Sequence, residues 1–164
     1  MTPIDWATRP LQKYADFTGR APRAEYWWFV LLYMVGFVVA TIIDSVLGLD
    51  AMALTYGPVT ILFALAILVP SLAVGARRLH DTDRSGWWLL MPGLPYLLGI
   101  ALVFGGAASG NSMLAMLGGA LAFVGFICGI VLLVWFCTKG TDGPNRFGDD
   151  PLADPAEDLA QTFE

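Results

Sequence analysis

The residues best suited to chemistry in this chain fall in three polar segments: Gly19 to Trp28 (GRAPRAEYWW), Arg77 to Trp88 (RRLHDTDRSGWW) and Gly140 to Pro151 (GTDGPNRFGDDP). Arg20, Arg23, Arg77, Arg78 and Arg146 bring planar, multidentate donors, and Glu25, Asp81, Asp83, Asp142, Asp149 and Asp150 bring acceptors. Two kinds of chemistry are open to such a set. In one, the segments dock on each other as a single salt-bridged cap. In the other, the same arginines and the backbone amides of the glycine-rich turns bind an anionic lipid headgroup, a phosphate or an acidic protein partner. The two are compatible, and Arg20, Arg23, Glu25, Arg77, Arg78, His80, Asp81, Ser85, Asn145, Arg146 and Asp150 are the candidate binding or structural residues.

Catalysis finds less support. His80 and Asp81 are adjacent in sequence, which does not bring their side chains together, and neither a G-x-S-x-G pattern nor a P-loop is present. One histidine among carboxylates is a poor basis for a transition-metal site. Asn145, Asp149 and Asp150 could offer oxygens to Mg²⁺ or Ca²⁺, but several converging ligands are needed. The expectation is a protein that is not an enzyme, with no catalytic residue, no cofactor, no metal and no nucleic-acid partner. Asp44 is the one ionisable residue placed within an apolar segment, either as an ion or proton site or, three residues from the segment's end, as a cap on a neighbour. Thr41, Ser45, Thr60 and Ser71 are expected to bond helix backbone.

The elements that position these residues follow from hydropathy. The 164 residues are 57% hydrophobic and 14% charged, against about 25% charged in a typical soluble domain. Trp87 to Thr138 contains no Asp, Glu, Lys or Arg. As one helix it would run about 78 Å, more than twice the hydrocarbon core, so it must fold back. Four spans are predicted, at about 27–47, 53–75, 87–104 and 113–137, with hairpin links at Gly105 to Asn111 and around Gly48 to Met52. The first is too long and starts too late for a signal peptide and reads as an uncleaved anchor.

All nine Lys and Arg residues fall before the first span, between the second and third, or after the fourth. That asymmetry predicts both termini in the cytoplasm, and all six tryptophans lie on the same side. Thr8 to Phe17, with Thr8 as cap and Pro10 in the first turn, is predicted to be a short interfacial helix turning Arg9 and Lys13 to lipid phosphates. Pro58, Pro70, Pro92 and Pro95 are expected to kink or break turns within spans. Gly118, Ala122, Gly125 and Gly129 form a small-residue stripe for helix packing, within the chain or in a homodimer. Cys128 and Cys137 lie on opposite faces of one helix and cannot pair with each other. Asp149 to Glu164 holds six acids and no base, so the net charge of −5 belongs to the tail.

The three polar segments, in this order, resemble those of the bacterial inner-membrane proteins of domain-of-unknown-function family 805 (DUF805, YhaH-like). The arginine pair, Leu79, His80, Asp81, then Ser85, Gly86 and Trp87 carry the resemblance most specifically. It implies a fold and a location and supplies no activity. Two departures stand out: Asp83, where glycine is usual, and Pro22, where a small hydroxyl residue is common. If position 83 needs a positive φ, aspartate tolerates it less well than glycine.

The reading is therefore an all-α integral-membrane four-helix bundle (residues 1–151) with a polar cytoplasmic cap and an acidic, disordered tail (152–164). Its function is expected to be that of a scaffold, accessory or regulatory subunit in the bacterial inner membrane. Its partners would be the bilayer, anionic lipid headgroups, or a membrane or cytoplasmic protein, with homo-oligomerisation open. A small transporter or channel is the alternative, and an enzyme acting on a phosphorylated lipid is the less favoured one.

Overall fold

A computed structural model describes residues 1–49 and 56–153; residues 50–52 of the predicted link around Gly48 to Met52 and most of the acidic tail lie outside the described residues. The described chain is helical apart from an isolated bridge between Asn145 and Gly148. Its elements are α1 (Pro3–Gln12), α2 (Arg23–Val46), α3 (Pro58–Asp81), a short 3-10 turn (Gly86–Leu89), α4 (Leu90–Ser109) and α5 (Ser112–Cys137). α2, α3, the 3-10 turn continued by α4, and α5 are each long and apolar enough to cross a membrane.

α1 begins earlier than the sequence suggested. Thr2 forms a capping box with Asp5, the Asp5 N–H donating to Thr2 Oγ1 at 3.2 Å and the Thr2 N–H to Asp5 Oδ2 at 2.7 Å. Pro3 occupies the first helical position, where its missing N–H costs nothing. Thr8 is thus inside the helix, its hydroxyl bonded back to Ile4 O at 3.0 Å, and Pro10 lies in the last turns rather than the first. Arg9 also departs from expectation, with its Nε 3.6 Å from the buried Glu25 carboxylate.

α3 has no cap of its own, because its N-cap is Gly57. Asp44, near the end of α2, supplies one from across the pair. Its carboxylate accepts the Val59 N–H at 3.0 Å, the Thr60 N–H at 2.8 Å and the Thr60 hydroxyl at 2.6 Å. The positive end of α3 complements the charge. A Cβ on Gly57 would lie 2.5 Å from Asp44 Oδ1, so the absent side chain makes room for the cap. Of the alternatives for Asp44, the cap on a neighbour is the one present.

Pro70 lies inside α3 and cannot donate to the Ala66 carbonyl one turn earlier. The Tyr14 hydroxyl donates to that carbonyl instead, at 2.6 Å. Tyr14→Phe should therefore cost about 1 kcal/mol. In a Pro70→Ala background, where the helix can bond Ala66 itself, the same change should cost close to nothing. A double-mutant cycle by thermal unfolding in detergent checks this; equal costs in both backgrounds would dissociate Tyr14 from the proline. Pro58, by contrast, starts α3, and Pro92 sits in the first turn of α4, so neither breaks a helix interior.

The link between α4 and α5 is tighter than GGAASGN implied. α4 runs through Ser109, Gly110 turns the chain with φ 67°, and Asn111 caps α5 by accepting the Leu114 N–H at 3.1 Å. Continuing the helix keeps backbone groups bonded where water is scarce. The small-residue stripe faces α4. A Cβ on Gly118 would lie 2.6 Å from both Gly99 O and Val103 N, and one on Gly125 would lie 2.8 Å from Tyr96 N. The stripe therefore serves packing within the chain. Cys128 and Cys137 are both free.

α2 and α3 pack as one pair and α4 and α5 as another. The pairs meet at the end that carries the polar segments, where Leu79, Leu132 and Phe136 are buried with Tyr26 and Leu89 against them. Ala21, Phe29 and Val74 complete the packing beside the cap. The buried core thus sits at one end of the molecule, directly under the charged residues.

Candidate functional site: the polar cap

Arg78 is fully buried in the last turn of α3, and its guanidinium points in three directions. Nε donates to Phe136 O at 3.1 Å and Nη2 to Thr138 O, satisfying carbonyls at the C-terminus of α5, where a cation also suits the helix dipole. Nη1 reaches Asp81 Oδ2 and, at 3.5 Å, Ala21 O. One side chain thereby ties α5, the segment before α2, and α3. Asp81 is shared: its Oδ1 accepts from Arg20 Nε at 3.0 Å, and its carbonyl accepts the Thr141 N–H and hydroxyl, both at 2.8 Å. Arg20 completes the clasp with bonds to Gly143 O at 2.6 Å and Thr141 O at 2.5 Å.

A second buried group lies beside it. Arg77 Nη1 donates to Glu25 Oε1 at 2.6 Å, with both side chains fully buried. Glu25 Oε2 and Arg77 Nε and Nη2 have no hydrogen-bond partner among the described residues. Removing either partner strands a buried charge, so the pair is a constraint on structure more than a source of stability. The Arg77 carbonyl accepts the Ala21 N–H at 3.0 Å, pinning the first segment to α3.

His80 lies on the other side of the α3 terminus. Its Nδ1 is 3.1 Å from Gly19 O, and its ring stacks on Phe147 at 4.0 Å with the planes 2° apart. Asn145 is a brace: its amide donates to His80 O at 2.9 Å and Thr141 Oγ1 at 3.0 Å, and its oxygen accepts the Phe147 N–H at 2.8 Å. Arg146 pairs with Asp83 at 3.0 Å on the surface. Asp150 accepts the N–H groups of Leu152 and Gly143, and those bonds, led by Leu152, hold its carboxyl below the usual range. Ser85 caps the 3-10 turn, accepting the Trp87 N–H at 3.5 Å.

The three segments thus come together, with Glu25, Asp81 and Asp83 of the expected acids paired to arginines. Backbone carbonyls of the glycine-rich turn are further acceptors, at Thr141 and Gly143. Gly140 is part of the reason, since its missing side chain lets the Asp81 carboxylate lie against it. Phe147 and the carbonyls of Phe136 and Thr138 were not legible as site groups. Among the described residues no group of three His, Cys, Asp or Glu is placed to hold a metal; the Asn145 amide and one Asp150 oxygen are instead bonded to the backbone of their own turn.

Two cap arginines have no carboxylate partner among the described residues. Arg84 lies over Trp135 at 4.6 Å and bonds Thr82 O. The Arg23 guanidinium donates to Cys137 O at 3.4 Å. It stands at the mouth of a groove of about 550 Å³ walled by Trp27, Trp28, Leu31 and Cys137. On its other side is a polar crevice of about 240 Å³ of mixed charge, where Arg20 and Lys139 lie among Asp81, Asp142 and Asp150.

Residues 14–149 match the model of a family described as a protein of unknown function, DUF805. The chain is 38% identical over 148 residues to the inner membrane protein YhaI of Escherichia coli (strain K12), covering 90% of this chain and 96% of that one. It is 34% identical over 152 residues to the inner membrane protein YhaH of the same strain, covering 93% and 100%. A third relative there, the uncharacterized protein YiiR, is 29% identical over 142 residues. No solved structure matches.

Proposed function

We propose, from the premise that this chain belongs to the DUF805 family, that it is a non-enzymatic inner-membrane protein whose cap holds an anionic lipid headgroup at Arg23. The observation that carries this is the contrast between the arginines. Arg20 and Arg78 are engaged by carboxylate and carbonyl acceptors, and Arg77 is paired with Glu25. Arg23 has no carboxylate within ion-pair distance among the described residues, and an apolar groove opens beside it. A lipid phosphate at Arg23, with a chain along Trp27, Trp28 and Leu31, satisfies both features.

On this reading the clasp is a rigid platform, and the protein serves as a scaffold, accessory or regulatory subunit. The cap faces the cytoplasm with both termini, and α1 lies along the interface there. The transporter or channel alternative draws no support from Asp44, whose carboxylate is taken up in capping α3.

Arg23→Gln should reduce co-purifying phosphatidylglycerol and cardiolipin, measured by native mass spectrometry of membrane-extracted protein, and leave the melting temperature unchanged. Retention of both lipids at parental occupancy overturns the proposal. A reporter fused after Gly110 should be active on the periplasmic side; a cytoplasmic signal there refutes the orientation.

A further inference from the structure

On the opposite side of α3 from the clasp, Phe17, Leu72, Trp87 and Leu90 help wall a second groove, of about 460 Å³, with His80 and Ser85 at its polar end. Unlike the groove at Arg23, it has no Lys, Arg, Asp or Glu in its lining. Gly86 brings the 3-10 turn against α3, since a Cβ there would lie 2.9 Å from Ala76 Cβ and 3.5 Å from His80 Nε2. The second ring nitrogen of His80 is therefore at the groove wall.

The chemistry of that nitrogen is set from behind. The Gly19 carbonyl can only accept, so in the neutral imidazole Nδ1 holds the proton and Nε2 presents a lone pair. Stacking on Phe147 fixes the ring plane. Ser85 Oγ receives the Trp87 N–H, and its own hydroxyl proton has no partner among the described residues. One acceptor and one free hydroxyl thus both line an uncharged, mostly apolar groove. Trp87, 78% exposed, and Leu72, 43% exposed, leave the groove open along the apolar surface of the helices.

We infer that this groove binds a neutral lipid alcohol of the diacylglycerol type. Its free hydroxyl donates to His80 Nε2, an ester oxygen accepts from Ser85, and a hydrocarbon chain lies along Phe17, Leu72, Trp87 and Leu90. A charged headgroup would find no counter-ion in the lining, and an esterified hydroxyl has no proton for Nε2. The site does not depend on Arg23.

The test places the full chain in phosphatidylcholine nanodiscs with a trace of diacylglycerol bearing a photoreactive diazirine on one chain. Adducts should map to the Leu72 to His80 and Trp87 to Leu90 stretches. Unlabelled dioleoylglycerol should compete, and its acetate should not. His80→Phe, which keeps a ring against Phe147, should lower labelling about three- to tenfold, the value of one lost hydrogen bond. Leu72→Trp, at a lipid-exposed position, should fill the groove and lower it as well. Arg23→Gln should leave labelling unchanged, which separates this site from the anionic one. Equal competition by the acetate, or labelling indifferent to both groove variants, would overturn the inference. So would a benzoylphenylalanine at Trp87 that captures a second copy of the chain, because the groove would then be a contact between copies.

Discussion

Arg78→Ala is expected to destabilise the protein by about 3–5 kcal/mol, the range for breaking a buried ionic network by removing one partner. The loss comes from two sides. The carbonyls of Phe136 and Thr138 at the end of α5 lose a charged donor, and Asp81 is left with Arg20 alone. At about 2–4 °C per kcal/mol for a chain of this size, the melting temperature should fall by about 6–20 °C. Arg78→Lys should recover little of it, because a single ammonium cannot address three acceptor directions at once. Arg84→Ala, which breaks no carboxylate pair, should cost under about 1 kcal/mol. Fluorescence-detected unfolding in detergent reads all three; an Arg78→Ala protein that melts within about 2 °C of the parent would show that the clasp is not what joins the helix pairs.

Gly118→Leu should be comparably severe for a different reason. The new Cβ would lie 2.6 Å from backbone atoms of α4, Gly99 O and Val103 N, and backbone in a packed helix cannot step aside as a side chain can. Overpacking of this kind costs about 3 kcal/mol or more. Gly119, one residue on, has nothing within 4 Å of the same atom. Gly119→Leu should therefore be neutral or slightly stabilising, since leucine is the better helix former. If the two substitutions lower the melting temperature equally, the small-residue face is not the seam between α4 and α5.

What the sequence disclosed and what it hid divide along the range of the interactions. Hydrophobic runs and the small-residue stripe are local patterns, and the spans and the α4–α5 seam follow from them. The convergence of the three polar segments was also legible, because buried arginines need acceptors and the acids lay in the same segments. Their carbonyl partners were not, since a carbonyl is present at every residue and nothing in a side-chain sequence marks Phe136, Thr138 or Thr141 as the ones an arginine will find. α1 was misplaced because Thr8 and Pro10 imitate a helix start, while Thr2, Pro3 and Asp5 make the one that forms. Asp83, where resemblance to the family suggested a positive φ, has φ 55°, and its pairing with Arg146 accompanies that conformation.

The clasp also imposes an order on how the molecule can be made. The carbonyls that receive Arg78 lie 58 and 60 residues further along the chain, and the one that receives the outer nitrogen of Arg20 lies 121 residues further. Translation delivers α2, α3 and α4 before any of those acceptors exists. During that interval the first helix pair already contains Glu25 and Asp81, the carboxylates that meet Arg77, Arg20 and Arg78, but not the carbonyls that complete the clasp. Closure is thus a late event, triggered by the emergence of the stretch from Phe136 to Gly143. A nascent chain cut short before that point would carry three of its four spans and most of the fourth, yet leave the guanidiniums of Arg20 and Arg78 with Asp81 and without their carbonyl acceptors at Phe136, Thr138 and Thr141.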